Sequence, residues 1–149
     1  MFKHIMVATD GSPLSGIACA KAALLAKLVG AKLTAIHVVG RYQREFDGEG
    51  YQLPDAKLLR QRFDEAETVR AARILEEARK VASGLGIECT STVVSGDEPY
   101  RALIDKAASY GCDLIVMASH GRRGVEGVLL GSETQKLLTH CRIPVLVCR

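Results

Sequence analysis

The chain has no tryptophan, and its aromatic residues make up only 5% of 149. Stacking platforms for single-stranded nucleic acid are therefore poorly supplied. Charge of one sign is scarce too: 20 Lys and Arg stand against 17 Asp and Glu, a net of +3, with the two signs interspersed. No nucleic-acid partner is expected from so mild a balance. Long apolar runs are missing. The longest, such as Leu114-Ile115-Val116-Met117-Ala118, fall far short of a bilayer span, so no membrane association is expected. The stretch from Met1 to Ala8 has neither a signal-length apolar segment nor a small-residue cleavage site, which leads to the expectation of a cytoplasmic protein. The five cysteines (Cys19, Cys89, Cys112, Cys141, Cys148) are odd in number and form no CxxC pair. Reduced thiols packed as small hydrophobes are expected, rather than disulfides or zinc.

What remains is ordinary globular material, 48% hydrophobic and 25% charged. That length and composition support a single domain over residues 1–149 with a core of its own. Short β-branched runs at His4–Thr9, Lys32–Val39, Ile87–Ser95, Asp113–Ser119 and Ile143–Cys148 alternate with segments of helical period. Such alternation predicts βαβ units and a mostly parallel sheet. Ser12 and Pro13 read as N-cap and first residue of a helix that Gly30 stops, with Ile17, Ala20, Leu24 and Leu28 as its apolar stripe. A long helix is predicted over about Asp55–Ser83, with Leu59, Phe63, Ala66, Val69, Ala72, Leu75, Ala78 and Val81 on its buried face. Asp97 is expected to cap a third helix, and Gly131-Ser132 to open a fourth. The polar segment Gly40–Pro54 reads either as a mobile connection or as a lid over a ligand.

Strands one and four are nearly all apolar, as expected when both faces are covered. Strand three carries Glu88, Thr90 and Thr92 at alternate positions, which suits an edge. The fold class expected is thus α/β: three layers, a five-stranded parallel sheet in the order 3-2-1-4-5, and helices on both faces. In that order strands one and four are neighbours whose following helices lie on opposite faces. This is a switch point, where such sheets open a crevice at the carboxyl ends of their strands.

Both strands end alike there, in Ala8-Thr9-Asp10-Gly11 and Ala118-Ser119-His120-Gly121. Asp10 and the glycines read equally well as plain turn formers. After His120, however, come Gly121, Arg122, Arg123, Gly124, Gly127, Gly131 and Ser132, running into a helix amino terminus. Glycines let backbone N–H groups approach an anion, and the helix end adds unpaired donors with about half a positive charge. The arginines would contact or neutralise phosphate oxygens. The segment is a candidate phosphate cradle, with a plain flexible loop as the alternative. There is no GxxxxGK[ST], and no GxGxxG after strand one, so neither a Walker loop nor a dinucleotide site is indicated.

These segments, Val7-Ala8-Thr9-Asp10-Gly11-Ser12, Ala118-Ser119-His120-Gly121, Leu130-Gly131-Ser132 and Pro144-Val145-Leu146-Val147, resemble the universal stress protein family, UspA-like, over essentially the whole chain. The resemblance implies a Rossmann-like sheet of the adenine nucleotide alpha hydrolase-like type. The family's ATP-binding branch carries Gly, two residues, Gly, nine residues, Gly, then Ser or Thr. Gly121, Gly131 and Ser132 match that pattern, and Ala118 stands where its first glycine would be.

By resemblance, Asp10 faces a ribose, Ala8 lines the site, and Val38 meets adenine through its backbone. Met117 and Ala118 flank the nucleoside, while Gly121, Gly131, Ser132 and Thr134 hold phosphates. Glu133 stands where the family is often apolar, and a carboxylate there either repels phosphate or helps to hold a metal. His120 reads either as a group that polarises phosphate or as a turn residue anchoring strand four. The implied ligand is ATP, or AMP or ADP, with Mg²⁺ as the companion that ATP normally brings. A homodimer through Val145, Leu146, Val147 and Cys148 is implied as well, with a regulatory protein partner of unknown identity. No catalytic residue is assigned: a slow ATP hydrolase or phosphotransferase would have to use His120, Glu126 or Glu133, none with an evident partner. A ligand-free interaction module is the third alternative.

Overall fold

A computed structural model describes residues 1–40, 55–121 and 130–149. The element order is β1 (His4–Ala8), α1 (Pro13–Val29), β2 (Lys32–Val39), α2 (Ala56–Gly84), β3 (Cys89–Ser95), α3 (Pro99–Ser109), β4 (Leu114–Ala118), α4 (Ser132–His140) and β5 (Val145–Cys148). All four strand pairings are parallel, and the order across the sheet is β3-β2-β1-β4-β5, as expected. The segment from Arg41 to Pro54, including the question of a lid, lies outside the described residues.

The two faces of the sheet carry separate cores. Ile5, Val7, Leu33, Ala35, Leu114 and Val116 pack under α1 and α2. Met6, Ile36, Ile115 and Met117 pack under α3 and α4, with Tyr100, Leu103 and Leu137. β1 and β4 contribute to both, which is why their sequences are apolar without alternation.

α1 starts and stops where its signals place it. Ser12 is the N-cap, its hydroxyl accepting from Ser15 N–H at 3.2 Å, and Gly30 ends the helix at φ 67°, a left-handed position that suits glycine. Its apolar stripe needs correcting. Ile17, Leu24 and Leu28 are 46%, 46% and 82% exposed, whereas Ser15, Ala18, Cys19, Ala22, Ala23 and Ala26 face the sheet. Small residues let the helix lie close over β1 and β4, so size rather than hydrophobicity selects the buried side. Burial pushes the Cys19 thiol up to about 11, with a hydrogen bond to Thr9 opposing it.

α2 needs a similar correction. Leu75 and Ala78 are buried, joined by Ala71, Ile74 and Ala82, and Val81 is half-buried. Leu59, Phe63, Ala66, Val69 and Ala72 are exposed. The helix is roughly 43 Å long, about twice the length of the strands it covers, so its first half extends past the sheet. The cap of α3 also shifts by one residue. Glu98 is its N-cap and makes no side-chain cap bond, and Pro99 is its first residue.

The candidate switch-point site

β1 stops at Ala8 while its neighbour β2 continues to Val39, so the sheet opens above the end of β1. Thr9 N–H still donates to the Ile36 carbonyl at 2.9 Å. The next rung of a parallel ladder would run from Val38 N–H to the Thr9 carbonyl. That carbonyl instead accepts from Nδ1 of His37 at 2.8 Å. The peptide groups of Val38 point toward this gap, because Ile36, two residues earlier, uses its carbonyl on the same side.

Beyond Thr9 the chain turns sharply. Asp10 Oδ1 accepts from Ser12 N–H at 3.0 Å, and Thr9 Oγ1 accepts from Gly11 N–H at 3.3 Å. Gly11 sits at φ 77° with α2 against it, and a Cβ there would lie 2.8 Å from Ile74 Cγ1. These bonds fix Asp10 at the mouth of the gap, half-buried.

The end of β4 comes up beside it. Ser119 N–H donates to the Cys148 carbonyl at 2.7 Å, which carries β4 one residue past its last rung. Gly121 then passes so close to Asp10 that a Cβ would stand 2.6 Å from Oδ2. Gly131 returns against the same strand end, its N–H donating to the Ser119 carbonyl at 2.7 Å. A Cβ on Gly131 would meet His120 Cα at 3.2 Å and the Ser119 oxygen at 3.3 Å. Close approach thus favours glycine at both positions: a Cβ would press on the Asp10 carboxylate at Gly121 and on the His120 backbone and Ser119 carbonyl at Gly131.

Of the sequence-predicted residues, Ala8, Asp10, Val38, Met117, Ala118, His120, Gly121, Gly131, Ser132, Glu133 and Thr134 lie at or beside this carboxyl edge of the sheet. Arg122, Arg123 and Gly124 lie outside the described residues, as does Glu126. Met117 and Ala118 are each 8% exposed, so they form the floor. Thr134 is buried and its hydroxyl donates to the Ala118 carbonyl at 3.2 Å, tying α4 to β4. Ser132 is exposed. The amides of Ser132, Glu133 and Thr134 precede the first intrahelical bond of α4, Gln135 N–H to the Gly131 carbonyl, and so remain available to an anion.

Glu133 faces away from that anion position. Its Oε2 accepts from the backbone N–H of Tyr100 at 2.9 Å, and its Oε1 pairs with Lys136 Nζ at 3.0 Å. The carboxylate supplies the cap that α3 does not find in its own sequence. His120 is half-buried with Nδ1 3.2 Å from Ser119 Oγ. Among the described residues no group of three His, Cys, Asp or Glu side chains gathers as a metal site. Sequence reasoning missed His37. A histidine between Ile36 and Val38 in an otherwise apolar strand end was the available signal.

A profile of the universal stress protein family matches residues 1–149. The chain belongs to the universal stress protein family. Universal stress protein Mb2028c of Mycobacterium bovis is 35% identical over 97% of this chain, which spans 45% of that relative's length. The universal stress protein UspA from Lactobacillus plantarum superposes with a TM-score of 0.81 at 25% identity, covering 99% of this chain and 97% of that one. A universal stress protein crystallised in complex with cAMP superposes with a TM-score of 0.72 at 26% identity, covering 99% and 97%. Among the described residues no helix is long and apolar enough to cross a membrane.

Proposed function

We propose that this universal stress protein binds an adenine nucleotide at the switch point and acts as a cytoplasmic regulatory protein, ligand occupancy altering a surface that a partner reads. The observation that carries this reading is the convergence of Asp10, Gly121 and the amino end of α4, with glycines at the two points of closest approach. In it the Val38 peptide group meets the adenine edge, Asp10 the ribose, and the Ser132 hydroxyl with the first amides of α4 the phosphates. Ala8, Met117 and Ala118 form the apolar floor, and His120 anchors the turn beside Gly121. The related protein that holds cAMP supports the adenine class. ATP would bring Mg²⁺ on its phosphates, and Glu133, engaged with Tyr100 and Lys136, is not placed to hold that ion.

Released ligand tests this directly. Purified protein, denatured and analysed for nucleotide, is expected to yield an adenine nucleotide, and calorimetric titration with ATP, AMP and cAMP should rank them. Gly121→Val should abolish binding by driving side-chain atoms into Asp10. No nucleotide and no binding up to millimolar concentration would sink the reading. ATP turnover lost in Gly121→Val would make the chain an enzyme instead.

The same proposal includes a single domain over residues 1–149 and a homodimer through β5. The Pro144 and Cys148 carbonyls accept from Ile115 and Ser119 N–H, so residues of that parity bond to β4. Val145 and Val147 then direct their peptide groups outward, with Leu146 39% exposed beside them. Val147→Pro removes one outward donor while leaving the β4 ladder intact. It should yield monomers in dilute solution by light scattering, with unchanged circular dichroism.

A further inference from the structure

The first half of α2 carries its charges in two blocks of opposite sign. Lys57, Arg60 and Arg62 stand near the amino end, and Asp64, Glu65 and Glu67 follow. The first turn holds no acidic residue. The helix dipole acts only within that turn, where Lys57 opposes it and the N-cap Asp55 favours it, so the two charge blocks beyond it are free to be matched by a partner.

One stripe of this half points away from the face that α2 buries. Leu58, Arg62, Glu65 and Val69 recur at intervals of four, three and four. Leu58 is 45% exposed and Val69 is 71% exposed. Arg62 makes no ion pair among the described residues, and Glu65 bonds only to Gln61, at 3.0 Å. A shallow groove of about 550 Å³ bordered by Lys57, Asp64 and Thr68 runs alongside.

The stripe is its own complement. When two such helices lie antiparallel about a two-fold axis midway between Phe63 and Asp64, Leu58 faces Val69 of the second copy, and Arg62 faces its Glu65. The two-fold repeats both contacts, giving an apolar pair at each end and an opposite-charge pair on each side of the centre. The basic turn of each helix lies over the acidic turn of the other, and the two dipoles oppose. We propose that this stripe of α2 is a self-association surface whose partner is a second copy of this chain, independent of the β5 edge. A single helix pair covers less than a standard interface, so the association depends on concentration and weakens with salt.

Sedimentation equilibrium from micromolar to millimolar concentration tests it with a charge swap. The wild-type chain is expected to double its mass above whatever assembly the β5 edge sets at the dilute end. R62E and E65R each place like charges across the two-fold and should weaken that doubling about tenfold or more. An equimolar mixture of the two variants should recover it, because one chain then carries two carboxylates and the other two guanidinium groups at the facing positions. The R62E/E65R double variant should recover it as well. All four positions are solvent-facing, and the recovery in the mixture guards against misfolded variants. A wild-type mass flat with concentration, single variants that associate like wild type, or a mixture no better than its components would overturn the proposal. Nucleotide binding is read separately and is not expected to change.

Discussion

Glu133 illustrates how one carboxylate settles between competing demands. It begins α4 beside amides suited to phosphate, yet its oxygens serve Tyr100 N–H at 2.9 Å and Lys136 at 3.0 Å. Two helix amino termini come together here, and the anion between them satisfies the one that lacks a cap. Glu133→Gln keeps an acceptor for Tyr100 and should cost little stability, while Glu133→Ala should cost about 1 kcal/mol, typical of a lost cap. Urea denaturation checks the pair. Affinity for phosphate-bearing ligands should follow the same order if the cap also positions α4. His37 is a second such residue, because its Nδ1–H holds the Thr9 carbonyl and leaves the Val38 peptide facing the gap. Neither role is legible from composition. Each depends on a contact between distant segments.

At the scale of the element, α1 shows why hydrophobic period alone misassigns a face. Ile17, Leu24 and Leu28 are exposed, whereas Ala18, Ala22, Ala23 and Ala26 are buried. Helix and sheet here approach closely enough that a methyl group fills the gap. Ala22→Leu should overpack the core and destabilise by about 1–3 kcal/mol. Leu28→Ser, at a position 82% exposed, should change stability by less than about 0.5 kcal/mol. Thermal melts of the two variants decide between this face and the apolar stripe. In α2 the same period continues over the whole helix, but the body covers only its second half. The opening half keeps an amphipathic pattern with no sheet beneath it, and that mismatch is what the charge-swap experiment addresses.

The whole molecule is tied together at the opposite end of the sheet from the site. Asp113, just before β4, accepts from Lys3 N–H at 2.8 Å and His4 N–H at 3.0 Å at the start of β1. His4 in turn reaches the Tyr110 carbonyl and Thr34 Oγ1. Burial alone would raise the Asp113 carboxyl, but these backbone donors outweigh it and hold it below its ordinary value. A carboxyl lowered by folding contributes stability above its unfolded value and loses it as pH falls through the folded one. Asp113→Asn should therefore lower stability at neutral pH and flatten its loss toward acid, read as midpoint against pH in urea. Since the bonds join β1 to β4, the effect should extend to the whole cooperative transition.

The sequence by itself determined the sheet. Five β-branched runs, their apolar or alternating character, and the Ser12-Pro13 and Gly30 signals are local properties, and they were enough to give strand order and the place of the switch point. It also brought Asp10, Gly121, Gly131 and Ser132 forward, because glycines and small polar residues at strand ends are conspicuous. Tertiary structure alone decided the buried side of α1, the length of α2 that stands clear, the cap that Glu133 gives α3, and the part His37 plays beside Val38. Those depend on how near two segments approach, and periodicity records only which residues are apolar, not what they lie against.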